Sequence, residues 1–121
     1  SIEEPEIVAA SEMHEYILTV GLFDKETEKQ EIETEAAKNI IADTLISKFE
    51  IFAFTMIDCT GVYKMSSTGR IVREPSIRIE IVTDADIEST IHKIIAVLKS
   101  PEALNQESIM VKHSTENIAF A

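Results

Sequence analysis

The sequence predicts a ferredoxin-like α+β sandwich of the order βαββαβ, and three observations carry that reading. Four stretches have the apolar pattern of strands and two have apolar residues at helical spacing. They follow one another as strand, helix, strand, strand, helix, strand, which places two helices on one face of an antiparallel four-stranded sheet. Glycine and proline are scarce, three of each in 121 residues, which argues against a turn-rich all-β fold.

Residues 1–13 hold an isolated Pro5 among glutamates and read as an acidic, flexible arm, with the folded domain spanning 14–121. Residues 15–23 read as the first strand, with Tyr16, Leu18, Val20 and Leu22 on one face. Thr27 and Gln30 have the spacing of a capping box, so a long helix is expected over 28–49, its apolar stripe running from Ile32 to Phe49.

A second strand is expected over 51–58, apolar on both faces, with Phe52, Phe54 and Met56 pointing one way. If those three lie on the face away from the helices, they form a patch that a second copy would cover, giving a homodimer. If they face the helices, they belong to the core. Residues 62–75 read as a hairpin with its tip at Ser66 to Gly69. Residues 76–82 alternate Ile77, Ile79 and Ile81 with Arg78 and Glu80, the pattern of a half-buried strand. A second helix follows from residue 87, then a short turn at Ser100 to Glu102. The last strand is expected over 108–113, and 117–121 reads as a further short edge segment.

The net charge is −11, concentrated in the first half of the chain. Such a charge disfavours contact with nucleic-acid phosphates or anionic lipid and makes a basic protein surface the natural partner. On the expected first helix, Glu28, Glu31 and Glu35 fall on the outer side. A single cysteine, Cys59, excludes an intramolecular disulfide, and no apolar run reaches membrane-spanning length, so a cytoplasmic protein is expected.

No motif for nucleophilic catalysis, phosphate cradling or metal binding stands in the sequence, and no cofactor is expected. Glu88 and His92, four apart, read as a surface ion pair rather than as metal ligands. Cys59 reads as a packing residue. The hairpin gathers Tyr63 with Lys64, Arg70 and Arg73, which suits an anion, an acidic partner or simply a solvated surface.

Three stretches resemble, in order and spacing, a family of small uncharacterised proteins of bacteria, phages and mobile elements. They are Val20 to Asp24, then Gly61 to Lys64 with Gly69 to Glu74, and then Gln106 to Val111. The resemblance covers about residues 15–120 and matches Gly61, Tyr63, Lys64, Arg73, Glu74, Gln106, Glu107 and Ser108. Tyr63 stands where that family often has Trp. The resemblance implies the fold and brings no activity.

The expectation is therefore a non-catalytic interaction protein, most concretely a phage or mobile-element inhibitor of the anti-CRISPR kind. It would block the basic nucleic-acid groove of a host defence nuclease. The expected contact residues are Glu28, Glu31, Glu35, Tyr63, Lys64, Arg73, Glu74, Gln106 and Glu107. The alternatives are an oligomeric sensor of a small molecule and a small enzyme that uses Cys59, or Tyr63 with Glu74.

Overall fold

The computed structural model describes residues 10–121. Its strands are β1 (Ser11–Gly21), β2 (Thr55–Lys64), β3 (Ile71–Thr83) and β4 (Met110–Ile118), and its helices are α1 (Thr34–Asp43) and α2 (Glu88–Lys99). Residues 1–9 of the expected arm lie outside the described residues, whereas Ser11 to Met13 belong to β1.

The sheet order is β2-β3-β1-β4 and every neighbouring pair is antiparallel. With both helices in the connections, this is the ferredoxin-like arrangement. Alternation decides what each strand buries. Tyr16, Leu18 and Val20 of β1 and Ile77, Ile79 and Ile81 of β3 are fully buried, and in register they stand side by side. Ala37, Ile41 and Leu45 from the first helical stretch and Ile91, Ile94 and Leu98 from α2 close over them. Each large side chain so buried contributes roughly 1.5–3 kcal/mol.

The first helix does not begin at residue 28. The Asp24 carboxylate captures the N–H groups of Glu26 and Thr27, at 2.8 and 3.2 Å, and Glu28 adopts a left-handed backbone (φ 59°). That Asx turn replaces the expected capping box, because a short carboxylate two residues upstream competes for the same amides. Phe23 then bridges to Gln30, and α1 starts only at Thr34, continuing into a π-helical turn over Thr44–Lys48.

Strand β2 lies four residues later than expected at its start and runs into the hairpin, so β2 and β3 pair all the way from Thr55↔Glu80 to Lys64↔Ile71. The tip is where expected, with Gly69 in the left-handed region (φ 72°) that a side chain rarely adopts. Phe54 and Met56 pack against the core beneath the helices, so they do not form a patch for a second copy. Phe52 precedes β2 and is 75% exposed. The expected edge segment at 117–121 is not separate, since β4 itself continues to Ile118.

Candidate functional site

At one end of the sheet the β2–β3 hairpin extends past the core. It meets two loops, the one that follows β1 and the one that precedes β4. The local sequence sets each side of the meeting. Gly21 ends β1 against Ser76, and Leu22 N–H continues the ladder to the Pro75 carbonyl at 2.9 Å. Asp24 then turns the chain, and its other carboxylate oxygen accepts from Asn105 Nδ2 at 2.9 Å. Lys25 N–H donates to the Asn105 carbonyl at 3.0 Å.

Gln106, only 6% exposed, donates through Nε2 to the carbonyls of Phe23 (2.8 Å) and Leu104 (3.2 Å). The two loops are thus tied by partly buried, directional bonds, which fix geometry more than fold. Glu28 and Asn105, two of the three non-glycine residues with positive φ, sit in these same loops. Left-handed non-glycine backbone costs energy and tends to collect at functional sites.

Tyr63 and Glu74 come from facing strands of the hairpin, one pair removed from each other on one face (Tyr63↔Val72, Gly61↔Glu74). The carboxylate of Glu74 reaches across Gly21 and accepts the Phe23 N–H at Oε2, 2.8 Å. Tyr63 is 43% exposed, and the partial desolvation of its hydroxyl, followed by the negative charges of Glu74 and Glu28, holds it above its ordinary pKa. Tyr63 therefore stays a neutral phenol, able to donate, across the physiological range.

These residues surround a cavity of about 540 Å³. Phe23, Tyr63, Met65 and Val72 supply its apolar wall; Asp24, Glu28, Glu74 and Glu107 supply carboxylates; Lys25, Lys64 and Arg70 supply positive charge. The volume lies within the range of small-molecule sites.

The fold brings together part of the expected set. Glu28, Tyr63, Lys64, Glu74, Gln106 and Glu107 all line this one cavity, so the three stretches behind the family resemblance meet in space. Glu31, Glu35 and Arg73 are not among its lining residues. Glu31 lies in the loop before α1. Glu35 lies on α1 and pairs at 2.8 Å with Lys38, which also reaches Asp58 at 3.1 Å. Arg73 follows Val72 on the alternate face of β3. The three glutamates expected as one helical stripe are therefore dispersed. Phe23, Asp24 and Lys25 line the cavity but are not among the expected contact residues, whereas Arg70, read in the hairpin as suited to an anion, does line it. Asp24, two and three residues before amides that no helix uses, is the signal that could have found that loop. Cys59 pairs in register with Ser76 at mid-sheet, and among the described residues it makes no hydrogen bond to a base.

No helix among the described residues is long and apolar enough to cross a membrane. No family model and no curated protein matches the chain. Solved structures do. A phage SAM lyase in complex with S-methyl-5'-thioadenosine aligns with 98% of this chain and 91% of its own, at 20% identity and a TM-score of 0.64. GlnK of B. subtilis in complex with ATP aligns over 85% of this chain and 82% of its own, at 13% identity and a TM-score of 0.53. CutA of Synechococcus elongatus aligns over 90% and 85%, at 12% identity and a TM-score of 0.52. At these identities the likeness shows a shared fold.

Proposed function

We propose that the cavity around Tyr63 and Glu74 binds a cationic nucleoside of the S-adenosylmethionine class and that the protein acts on it as a lyase. The observation that carries this reading is the placing of Tyr63 and the anchored Glu74 carboxylate in one cavity with Asp24, Glu28, Lys64 and Arg70. Four lining carboxylates face three lining bases. A sulfonium nucleoside with an amino-acid tail carries two positive charges and one negative, so its balance complements the lining. A nucleoside triphosphate would set its own negative charges against those carboxylates. The likeness to a phage SAM lyase supports the reading by analogy of fold.

The chemistry asks little of the protein beyond holding the substrate. The bond between sulfur and the γ-carbon of the amino-acid side chain breaks, and its electron pair stays on sulfur, giving neutral S-methyl-5'-thioadenosine. The carboxylate of the departing four-carbon fragment closes on that γ-carbon to form a lactone, so neither water nor a redox partner is consumed. Lys64 and Arg70 are suited to hold that carboxylate and Glu74 to hold the ammonium group. Tyr63 offers a ring face and a neutral hydroxyl. Positioning of this kind converts a slow internal displacement into a fast one. A cytoplasmic setting, expected from the cysteine content, would supply the substrate.

The test is to incubate the purified chain with S-adenosylmethionine and to resolve the products by chromatography. S-Methyl-5'-thioadenosine accumulates with the wild type, and Glu74→Gln and Tyr63→Phe each lower the rate by about 10²-fold or more. Unchanged substrate would remove the catalytic part of the proposal.

The net charge of −11 supports a second reading. In it the protein is an inhibitor from a phage or mobile element that docks on a basic, nucleic-acid-binding surface of a host protein. Recovery of such a partner at low salt and its loss at high salt would favour this reading. Full retention of that partner by Glu74→Gln and Tyr63→Phe would separate it from the cavity.

A further inference from the structure

All three histidines of the chain, His14, His92 and His113, gather with Asp86 and Glu88 at the end of the sheet away from the cavity. The two places are about 30 Å apart along β1, at 3.3 Å per residue from His14 to Phe23. Three different elements supply the group. His14 lies on β1, His113 on β4 opposite Tyr16 (His14 itself is opposite Thr115), and Glu88 and His92 one turn apart at the start of α2, with Asp86 in the turn before it.

Much of the group is held rigidly. The ring of His113 stacks on the fully buried Tyr16, centroids 4.2 Å apart. The Tyr16 hydroxyl donates to Asp86 Oδ1 at 3.0 Å, and Glu88 N–H donates to the same oxygen at 2.9 Å. Asp86 is thereby fixed, with its second oxygen left over. His113 Nε2 lies 2.9 Å from His14 Nδ1, so one ring donates to the other.

Two separations then stand out. His113 Nδ1 is 3.9 Å from Glu88 Oε2, and His92 Nε2 is 3.7 Å from Glu88 Oε1. Both exceed hydrogen-bond length. Both are close to the distance between two ligands on one tetrahedral ion, which is about 3.3–3.4 Å for metal–ligand bonds of about 2.0–2.1 Å. Ligand atoms of Asp86, Glu88 and His113 all lie within 4.8 Å of one another.

We propose that Asp86, Glu88 and His113 form a binding site for a divalent transition-metal ion of the zinc class, with His92 beside the outer oxygen of Glu88. His113 binds through Nδ1, and its Nε2–H donates to His14 Nδ1. A metal-bound imidazole commonly uses its second nitrogen in this way, and the bond sets the tautomer that leaves Nδ1 free for the ion. Imidazole nitrogens mixed with carboxylates select zinc-like ions over calcium or magnesium. The side chains of Glu88 and His92 are 60% and 66% exposed, so the ion exchanges with solvent. His14 is a positioning residue that acts through His113.

The test is calorimetric titration of the tag-free, chelator-treated full chain with zinc chloride, with a parallel thermal melt. One ion binds per chain and the melting point rises, since the ion binds only the folded state. Glu88→Gln, a change at an exposed side chain, weakens binding by at least tenfold. His113→Ala abolishes it. His14→Ala leaves the stoichiometry at one and weakens affinity by about 10- to 100-fold. Circular dichroism of each metal-free variant checks that it has kept the fold. The proposal is overturned if zinc does not bind saturably. It is equally overturned if Glu88→Gln binds as the wild type does, or if calcium binds as tightly as zinc.

Discussion

The carboxyl group of Glu74 lies against the α-carbon of Gly21, in the space that a β-carbon there would occupy, and it is held in that place by the Phe23 N–H at 2.8 Å. A glycine at the end of β1 is thus what lets a strand β3 carboxylate enter the cavity.

Gly21→Ala is expected to expel that carboxylate and leave the Phe23 N–H without its acceptor. Loss of such a bond costs about 1–3 kcal/mol. Urea denaturation reads the stability loss. Calorimetry with S-methyl-5'-thioadenosine reads an affinity at least tenfold weaker, equivalent to about 1.4 kcal/mol. An alanine variant that binds as the wild type does would show that Glu74 has no part in recognition.

Tyr63 is expected to titrate above the ordinary phenol value, because partial desolvation and then the charges of Glu74 and Glu28 disfavour its anion. A raised folded pKa means that the stabilisation it reflects is full below the unfolded value. It is lost as pH rises through the folded one. Tyr16, raised chiefly by burial, titrates high as well, so Tyr63→Phe assigns the two transitions. In a titration of phenolate absorbance, Glu74→Gln moves Tyr63 part of the way back and leaves Tyr16 in place.

Asp24 has the opposite sign. The side-chain bond from Asn105, followed by the Glu26 N–H, holds its carboxyl below the usual value. Its contribution to loop order is therefore full above the unfolded pKa and is lost as pH falls through the depressed folded value. Asn105→Ala removes the larger cause, and carbon-detected NMR titration should then show the Asp24 pKa rising toward 3.8.

Ile79 and Phe52 test the packing. Ile79 is fully buried between strands and helices, and Ile79→Ala should cost about 2–5 kcal/mol. Phe52 is 75% exposed, and Phe52→Ser should change stability by no more than about 0.5 kcal/mol. Urea midpoints of the two variants give both values directly.

The sandwich was legible wherever one residue pattern had one physical outcome. Ile77, Ile79 and Ile81 alternate with Arg78 and Glu80, and only a half-buried strand satisfies both sets. The helical stripe from Ile87 to Leu98 had no competitor either. At the start of α1, Thr27 and Gln30 imitate a capping box, while the deciding group, Asp24, lies outside the window that the box occupies. Phe52, Phe54 and Met56 were ambiguous because residues 51–58 are apolar on both faces. The pairing of Met56 with Ile79, which settles the question, is a contact at long range.

The cavity was legible as ingredients and not as a place. Tyr63, Glu74 and Gln106 each belonged to a recognisable stretch. Their convergence depends on Phe23, which lies 51 residues from Glu74 and 83 from Gln106 in the chain. No local pattern reports such distances. The charge of Glu28 places it on a helix face in the sequence pattern, whereas in the fold it has a left-handed backbone and lines the cavity.

Titration of the purified chain with S-methyl-5'-thioadenosine, followed by isothermal calorimetry beside its Glu74→Gln variant, addresses the Tyr63–Glu74 cavity most directly. Saturable binding at one nucleoside per chain, weakened at least tenfold in the variant, is the predicted result. Absence of heat with both this nucleoside and S-adenosylmethionine, from a chain whose melting curve is intact, would contradict the account.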